Sequence, residues 1–233
     1  MAPKIKNLDK LQDFIGVHFQ NEDLLSLAFV HKSYVNEHPD TKGYNERLEF
    51  LGDAVLELAV TDFLYHNYPE QPEGQLTNWR SALVKGKNLA RVSSSLKLGD
   101  YLLLSRGEEL SGGREKDYIL ANTMEALIGA IYLDKGFEVT NQFILRNIVV
   151  LLDEIIAQGL NIDSKSHVQE LAQERLGITP SYELLSESGP DHDKVFEMGI
   201  YLGETLAGKG EGPSKQEAEQ AAARDALKQK GWA

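Results

Sequence analysis

The sequence contains no cysteine. That excludes disulfides, thiolate zinc sites, iron–sulfur clusters and cysteine nucleophiles, so any metal must be held by oxygen or imidazole. Long apolar runs are also missing. The longest, around Leu102–Leu104 and Ile148–Leu152, fall far short of the roughly 18 residues a membrane-spanning helix needs. The first residues, Met1 to Asp9, carry lysines but no apolar stretch and no small-residue cleavage site, so a secretory signal is not expected and the expected compartment is the cytoplasm. Positive charge is scarce, with 24 basic against 36 acidic side chains and a net charge of −12. Taken alone, that balance argues against a nucleic-acid partner, because phosphate binding is driven by Lys and Arg. A partner sees only one face, however. Residues 1–163 carry 16 basic and 24 acidic groups and residues 164–233 carry 8 and 12, so any phosphate site has to be local.

What is present is ordinary globular composition, 42% hydrophobic and 26% charged over 233 residues, a length for one large domain or two modest ones. From Leu8 to Ile156 apolar residues recur three and four apart, punctuated by proline and glycine, which predicts a bundle of seven or more helices. The stretch Ala157 to Ser164 is short and rich in breakers. It sets the predicted boundaries: a helical domain over 1–156, a linker over 157–163 and a second domain over 164–233. There Ser166-His167-Val168-Gln169 spells a capping box opening a helix with Val168, Leu171, Ala172 and Leu176 on one face, closed by Gly177. Tyr182 and Leu184 alternate with polar neighbours, Gly189-Pro190-Asp191 spells a turn, and Phe196, Met198, Ile200 and Leu202 mark a half-buried strand. A short third strand follows Gly203-Glu204. Ser214 to Glu217 is a second capping box ahead of Ala218, Ala221, Ala222, Ala226 and Leu227. The predicted fold class is therefore an all-α domain followed by a small α+β domain of order α-β-β-β-α.

The sharpest chemical signal lies in Asn45-Glu46-Arg47-Leu48-Glu49-Phe50-Leu51-Gly52-Asp53-Ala54-Val55-Leu56-Glu57. At about 100° per residue, Glu46, Asp53 and Glu57 fall within about 20° of one meridian and Glu49 about 60° to its side. The rest of the helix is apolar through Leu48, Phe50, Leu51, Ala54, Val55, Leu58, Ala59 and Val60, so most of its circumference is expected to be buried. Stacked like charges call for a cation. A second stretch, Leu120 to Leu133, has the composition of a buried helix with small residues that permit close approach, yet Glu125 stands in its middle and Asn122 one turn earlier. A buried carboxylate must be paired, hydrogen-bonded or metal-bound; Arg47 or Arg80 is the plain candidate partner. Carboxylates without thiols suit Mg²⁺ or Mn²⁺ and metal-assisted phosphodiester hydrolysis. The alternative is a solvated acidic helix face.

Asn45 to Asp53 resembles the signature of bacterial ribonuclease III. Other pieces match in order: His31-Lys32-Ser33-Tyr34, Pro72-Glu73-Gly74, Arg80 to Val84, Ser111 to Arg114 and Glu125 to Ala130. Gln169-Glu170, Gly189-Pro190-Asp191-His192 and Ser214-Lys215 resemble the family's double-stranded RNA-binding domain. The resemblance covers nearly the whole chain. It implies a cytoplasmic, homodimeric endonuclease, joined through its first domain, that cuts both strands of double-stranded RNA in rRNA and mRNA processing and leaves 5′-phosphate and 3′-hydroxyl ends. It implies Glu49, Asp53, Glu125 and Asn122 at the Mg²⁺, with Asp53 and Glu125 catalytic and Glu46 and Glu73 as acidic neighbours. Asn122 departs from the family, which usually has aspartate there, and so removes one negative charge from the site.

For the second domain the resemblance implies RNA contacts from Gln169 and His192 to the minor groove, where shape and 2′-hydroxyls are read. It places Lys194 beside Lys215, which sits with the first-turn amides of the last helix as a phosphate site. Each has a plain structural reading too: Gln169 as partner of Ser166, Glu217 as partner of Ser214, His192 as closing the Gly189 turn. Three functions stay open. The first is an Mg²⁺-dependent double-stranded-RNA endonuclease. The second is a double-stranded-RNA-binding protein whose nuclease site is weakened by Asn122 and which acts by occupancy. The third is a carboxylate-site hydrolase of another phosphodiester, with the last domain a protein-interaction module.

Overall fold

The computed structural model describes residues 5, 7–157, 164–190 and 194–232. Contacts divide the chain into two compact units, Met1–Asn161 and Ile162–Ala233. The first is helical, with α1 Leu8–Ile15, α2 Glu22–Ala28, α3 Lys32–Glu37, α4 Glu46–Asn67, α5 Glu73–Val84, α6 Gly86–Ser95, α7 Arg106–Leu110, α8 Asp117–Asn147 and α9 Leu152–Ala157. Its one β feature among the described residues is a parallel bridge between Val30 and Leu103. Among the described residues no helix is long and apolar enough to cross a membrane.

α8 is the hub. Met124, Leu127, Ile128 and Ile131 are fully buried in the main core together with Leu56, Val60 and Leu64 of α4. At about 1.5–3 kcal/mol per buried side chain, those four residues of α8 contribute on the order of 6–12 kcal/mol, enough to hold a polar intruder such as Glu125 in place. A left-handed residue, Gly136 with φ 78°, breaks α8 into two segments.

α4 corrects one expectation. Leu48, Val55, Leu56, Ala59 and Val60 are buried, but Phe50, Leu58 and, further along, Tyr65 are 82%, 58% and 70% exposed. Their spacing of seven to eight residues puts them on one stripe, so α4 has two apolar faces and this chain's own core covers only one.

The second unit comprises α10 Ser164–Leu176, β1 Ser181–Ser188, β2 Val195–Leu202, β3 Thr205–Gly212 and α11 Lys215–Gln229. The strands form an antiparallel sheet in the order β1-β2-β3. Met198, Ile200 and Leu202 are buried and Phe196 packs against them, as the alternation predicts. β3 is eight residues long, not short. α11 lies on it through an interlock of small residues: a Cβ on Gly208, Gly210 or Gly212 would come within 2.5, 2.1 or 2.7 Å of the backbone nitrogens of Ala226, Ala222 and Ala218. Period two on the strand meets period four on the helix.

Two local expectations fail here. α10 starts at Ser164, so Ser166 lies inside the helix and its capping-box spelling does not open it. Leu176, one residue from the Gly177 terminator, is 48% exposed. Ser214 does cap α11, its hydroxyl accepting from the Glu217 amide at 3.2 Å.

Candidate active site

α4 and α8 cross backbone to backbone. A Cβ built on Gly52 would lie 1.7 Å from the Glu125 carbonyl oxygen, and one on Gly129 would lie 2.2 Å from the Leu48 carbonyl oxygen. No side chain fits at either position, and the reciprocal glycines bring the carboxylates of the two helices together. The start of α4 is fixed as well. Asn45 is buried, its amide N–H bonding the Val30 carbonyl at 2.9 Å and its side chain donating to the Ala28 carbonyl at 3.4 Å.

The acidic stripe divides into compensated ends and an uncompensated middle. Lys32 Nζ sits 3.2 Å from Glu46, and Arg80 Nε sits 3.1 Å from Glu57 while its Nη1 donates to Thr61. Arg80 is thus not the partner of Glu125, and among the described residues no ion pair reaches Glu49, Asp53 or Glu125. Glu125 is pushed up to about 7, first by burial and then by the negative charges of Asp53 and Glu49. Glu49 is raised by burial and by Glu46 and Asp53, against a hydrogen bond from the Asn122 amide that favours its charged form.

Beside this middle lies a cleft of about 270 Å³ whose lining includes His31, Lys32, Asn36, Glu46, Glu49, Tyr118 and Asn122. Burial lowers the His31 pKa despite the nearby carboxylates Glu108 and Glu46. Among the described residues no three His, Asp or Glu side chains close on a point as a ready-made metal cage. Mg²⁺ does not require one, since it keeps several waters and takes one or two carboxylates directly. The donor set fits such an ion: hard oxygens, an excess of unpaired negative charge, and a carboxyl that burial would otherwise keep partly protonated.

In the second unit Lys215 is the first residue of α11, its Nζ 5.9 Å from the centre of the Phe196 ring. Lys194 immediately precedes β2, with Nζ 3.9 Å from Glu187. Because Phe196 pairs with Gly212, both lysines belong to the same end of the sheet. Gln169 is exposed on α10. His192 and Asp191 lie outside the described residues.

The geometry can be set beside known proteins. Residues 21–152 match the model of the Ribonuclease-III-like family, and residues 164–230 match that of the double-stranded RNA binding motif. The chain belongs to the ribonuclease III family. Ribonuclease 3 of Clostridium perfringens is 44% identical over 97% of this chain and 94% of its own length. Ribonuclease 3 of Syntrophobacter fumaroxidans is 47% identical over 94% and 93%. The crystal structure of the nuclease domain of ribonuclease III from Campylobacter jejuni is 43% identical, with a TM-score of 0.57, covering 64% of this chain and 96% of that one. A second structure of that domain, 44% identical with a TM-score of 0.57 over 61% of this chain and 96% of that one, is described for flexibility in a region involved in dimer formation. This chain is accordingly an endoribonuclease with a nuclease domain and a double-stranded RNA-binding domain.

Of the site residues named from the sequence, the fold brings the carboxylates Glu46, Glu49, Asp53 and Glu125 and the amide Asn122 into one region. Glu73 stands apart within one chain. It opens α5, accepts from Thr77 at 3.0 Å and lines a different cleft, of about 650 Å³, with Tyr65, Leu76 and Arg80. Sequence reasoning assigned no role to His31, Lys32 or Tyr118. The Lys32–Glu46 pair spans 14 positions, with no periodicity to announce it.

Proposed function

We propose that this ribonuclease III family member is an Mg²⁺-dependent endonuclease that cuts both strands of double-stranded RNA, leaving 5′-phosphate and 3′-hydroxyl ends, in the cytoplasmic processing of rRNA and mRNA. The observation that carries this reading is the uncompensated middle of the stripe: Asp53 and Glu49 press like charge on Glu125 while Lys32 and Arg80 are spent on Glu46 and Glu57. Glu49, Asp53 and Glu125 would hold the ion, with Asn122 reaching it through water, and Mn²⁺ is a chemically suitable substitute. When bound, the ion supplies hydroxide near neutral pH and offsets charge on the phosphate. Burial and like charge hold the Glu125 carboxyl near 7 without metal, and a bound cation would keep it ionised as a ligand. Lys32 holds Glu46 at the edge, and the Gly52–Gly129 crossing keeps the two carboxylate rows in register.

Two sites are needed for two strands. The exposed stripe of Phe50, Leu58 and Tyr65 supports a homodimer through the nuclease domain, because monomers rarely leave such large apolar side chains in a row uncovered. Glu73 and the cleft it lines would then act beside the partner copy rather than in the site of its own chain. In the second domain Lys194, Lys215 and the start of α11 would grip phosphates, with Gln169 and His192 at the minor groove. We assign the nuclease domain to residues 1–156, the linker to 157–163 and the RNA-binding domain to 164–233.

The competing reading is a duplex-binding protein whose site is weakened by Asn122. A metal titration of cleavage by the native protein and Asn122→Asp separates the two. The nuclease reading expects both to cut, with the variant reaching half-maximal rate at lower Mg²⁺. Cleavage seen only in the variant would establish the passive binder.

A further inference from the structure

We infer that His31 is a substrate-contacting residue of this nuclease, presenting a fixed Nε2–H donor to a backbone oxygen of the RNA beside the carboxylate site; the inference rests on the nuclease reading above. The imidazole is locked from its other side. Its Nδ1 accepts the Ser33 backbone N–H at 3.2 Å and lies 2.8 Å from the Ser33 hydroxyl. That hydroxyl in turn accepts the Ser105 backbone N–H at 3.0 Å, so its own proton is directed to Nδ1. With Nδ1 accepting, the ring proton belongs on Nε2.

The backbone is held as firmly. The His31 N–H donates to the Leu103 carbonyl at 3.1 Å, next to the Val30–Leu103 bridge. The bridge thus fixes the His31 backbone while Ser33, itself held by Ser105, fixes the ring, a degree of fixing that a helix cap alone does not need.

The ring's surroundings point to an RNA oxygen. His31 shares its cleft with Glu46, Glu49 and Asn122. An RNA strand brought to these carboxylates needs donors on the facing wall. Lys32, the cation of that wall, is engaged by Glu46. A donor whose direction is already fixed loses no rotamer freedom on binding and keeps the reacting phosphate in place. The acceptor is a non-bridging phosphate oxygen or a ribose 2′-oxygen, which share this chemistry.

Two substitutions separate the donor from the cap. Asparagine reproduces a group at the Nδ1 position and keeps the cap, but does not reach the cleft. Glutamine places an amide N–H near the Nε2 position and gives up the cap. On a labelled duplex at saturating RNA, we expect His31→Asn to lower kcat about tenfold or more, the scale of one hydrogen bond to a charged group. KM, the half-saturating Mg²⁺ and the unfolding temperature should stay close to native, because the second domain carries most of the affinity. His31→Gln should unfold at lower temperature yet recover most of the rate.

If 2′-deoxy substitution at the cleavage site brings native and His31→Asn rates together, the acceptor is the ribose oxygen. If the ratio persists, it is the phosphate. Native rates in His31→Asn, or slow cleavage in both variants tracking their stability, would overturn the inference and leave His31 as a cap. A shifted Mg²⁺ requirement in His31→Asn would overturn it in favour of a role in ion binding. A native protein that leaves the duplex intact would overturn the nuclease reading itself, and this inference with it.

Discussion

Glu125→Gln should make the metal-free protein more stable at neutral and alkaline pH while destroying its use of metal. Proton binding at Glu125 is linked to folding. The folded protein holds the Glu125 proton up to about 7, whereas the unfolded chain releases it at the ordinary carboxylate value of about 4.5. The folded state therefore binds more protons between those two values, and stability falls as pH rises through that window. A difference of about 2.5 pH units corresponds to about 3 kcal/mol for a fully sequestered group. Glu125 is only partly buried, and solvent screening reduces this to about 1–2 kcal/mol. Glutamine is neutral throughout and escapes that loss. For a nuclease domain of this size the gain amounts to about 3–6 °C. Thermal unfolding with EDTA at pH 8 should show the variant higher by that amount, and at pH 4.5 the two should nearly coincide. Adding Mg²⁺ should raise the native protein and leave the variant almost unmoved. A variant no more stable than the native protein at pH 8 without metal would refute the claim that burial and like charge act on this carboxyl.

Two further outcomes are expected. Phe50→Glu puts a charge in the middle of the uncovered α4 stripe and should turn a dimer into a folded monomer at micromolar concentration, as read by light scattering; an unchanged mass would remove Phe50 from the interface. Neutralising Lys194 and Lys215 together should weaken all duplex sequences alike and reduce the slope of log affinity against log salt by about 1.8, at about 0.9 per phosphate contact; an altered sequence preference with an unchanged slope would show that they are not phosphate ligands.

Much of the fold was legible because periodicity reports burial. The alternation at Met198, Ile200 and Leu202 marked its strand, and the apolar composition of Leu120 to Leu133 marked α8 with Glu125 as the odd residue inside it, although Leu133 itself is 53% exposed. Phe50 and Leu58 were misassigned to the core for the same reason: an apolar residue left on the surface and one facing the core look alike in one sequence. The site's residues were visible as a stripe, but not its electrostatics. That Lys32 and Arg80 neutralise the two ends and leave the middle bare depends on long-range contacts. So does the reciprocal crossing of Gly52 and Gly129, which reads in sequence as two unremarkable helical glycines. The interlock of Gly208, Gly210 and Gly212 with the alanines of α11 had a signal, small residues at period two followed by small residues at period four, that pattern reasoning could have found.

The most direct test is cleavage of an end-labelled RNA duplex by the purified full chain, run with Mg²⁺, with EDTA and with Glu125→Gln in place of the native protein, and with the product ends identified. Cuts in both strands with 5′-phosphate and 3′-hydroxyl ends are expected in Mg²⁺ alone, and intact but still bound duplex in the other two. Cleavage that survives EDTA or Glu125→Gln, or a native protein that binds the duplex in Mg²⁺ without cutting it, would contradict the Mg²⁺-dependent nuclease reading.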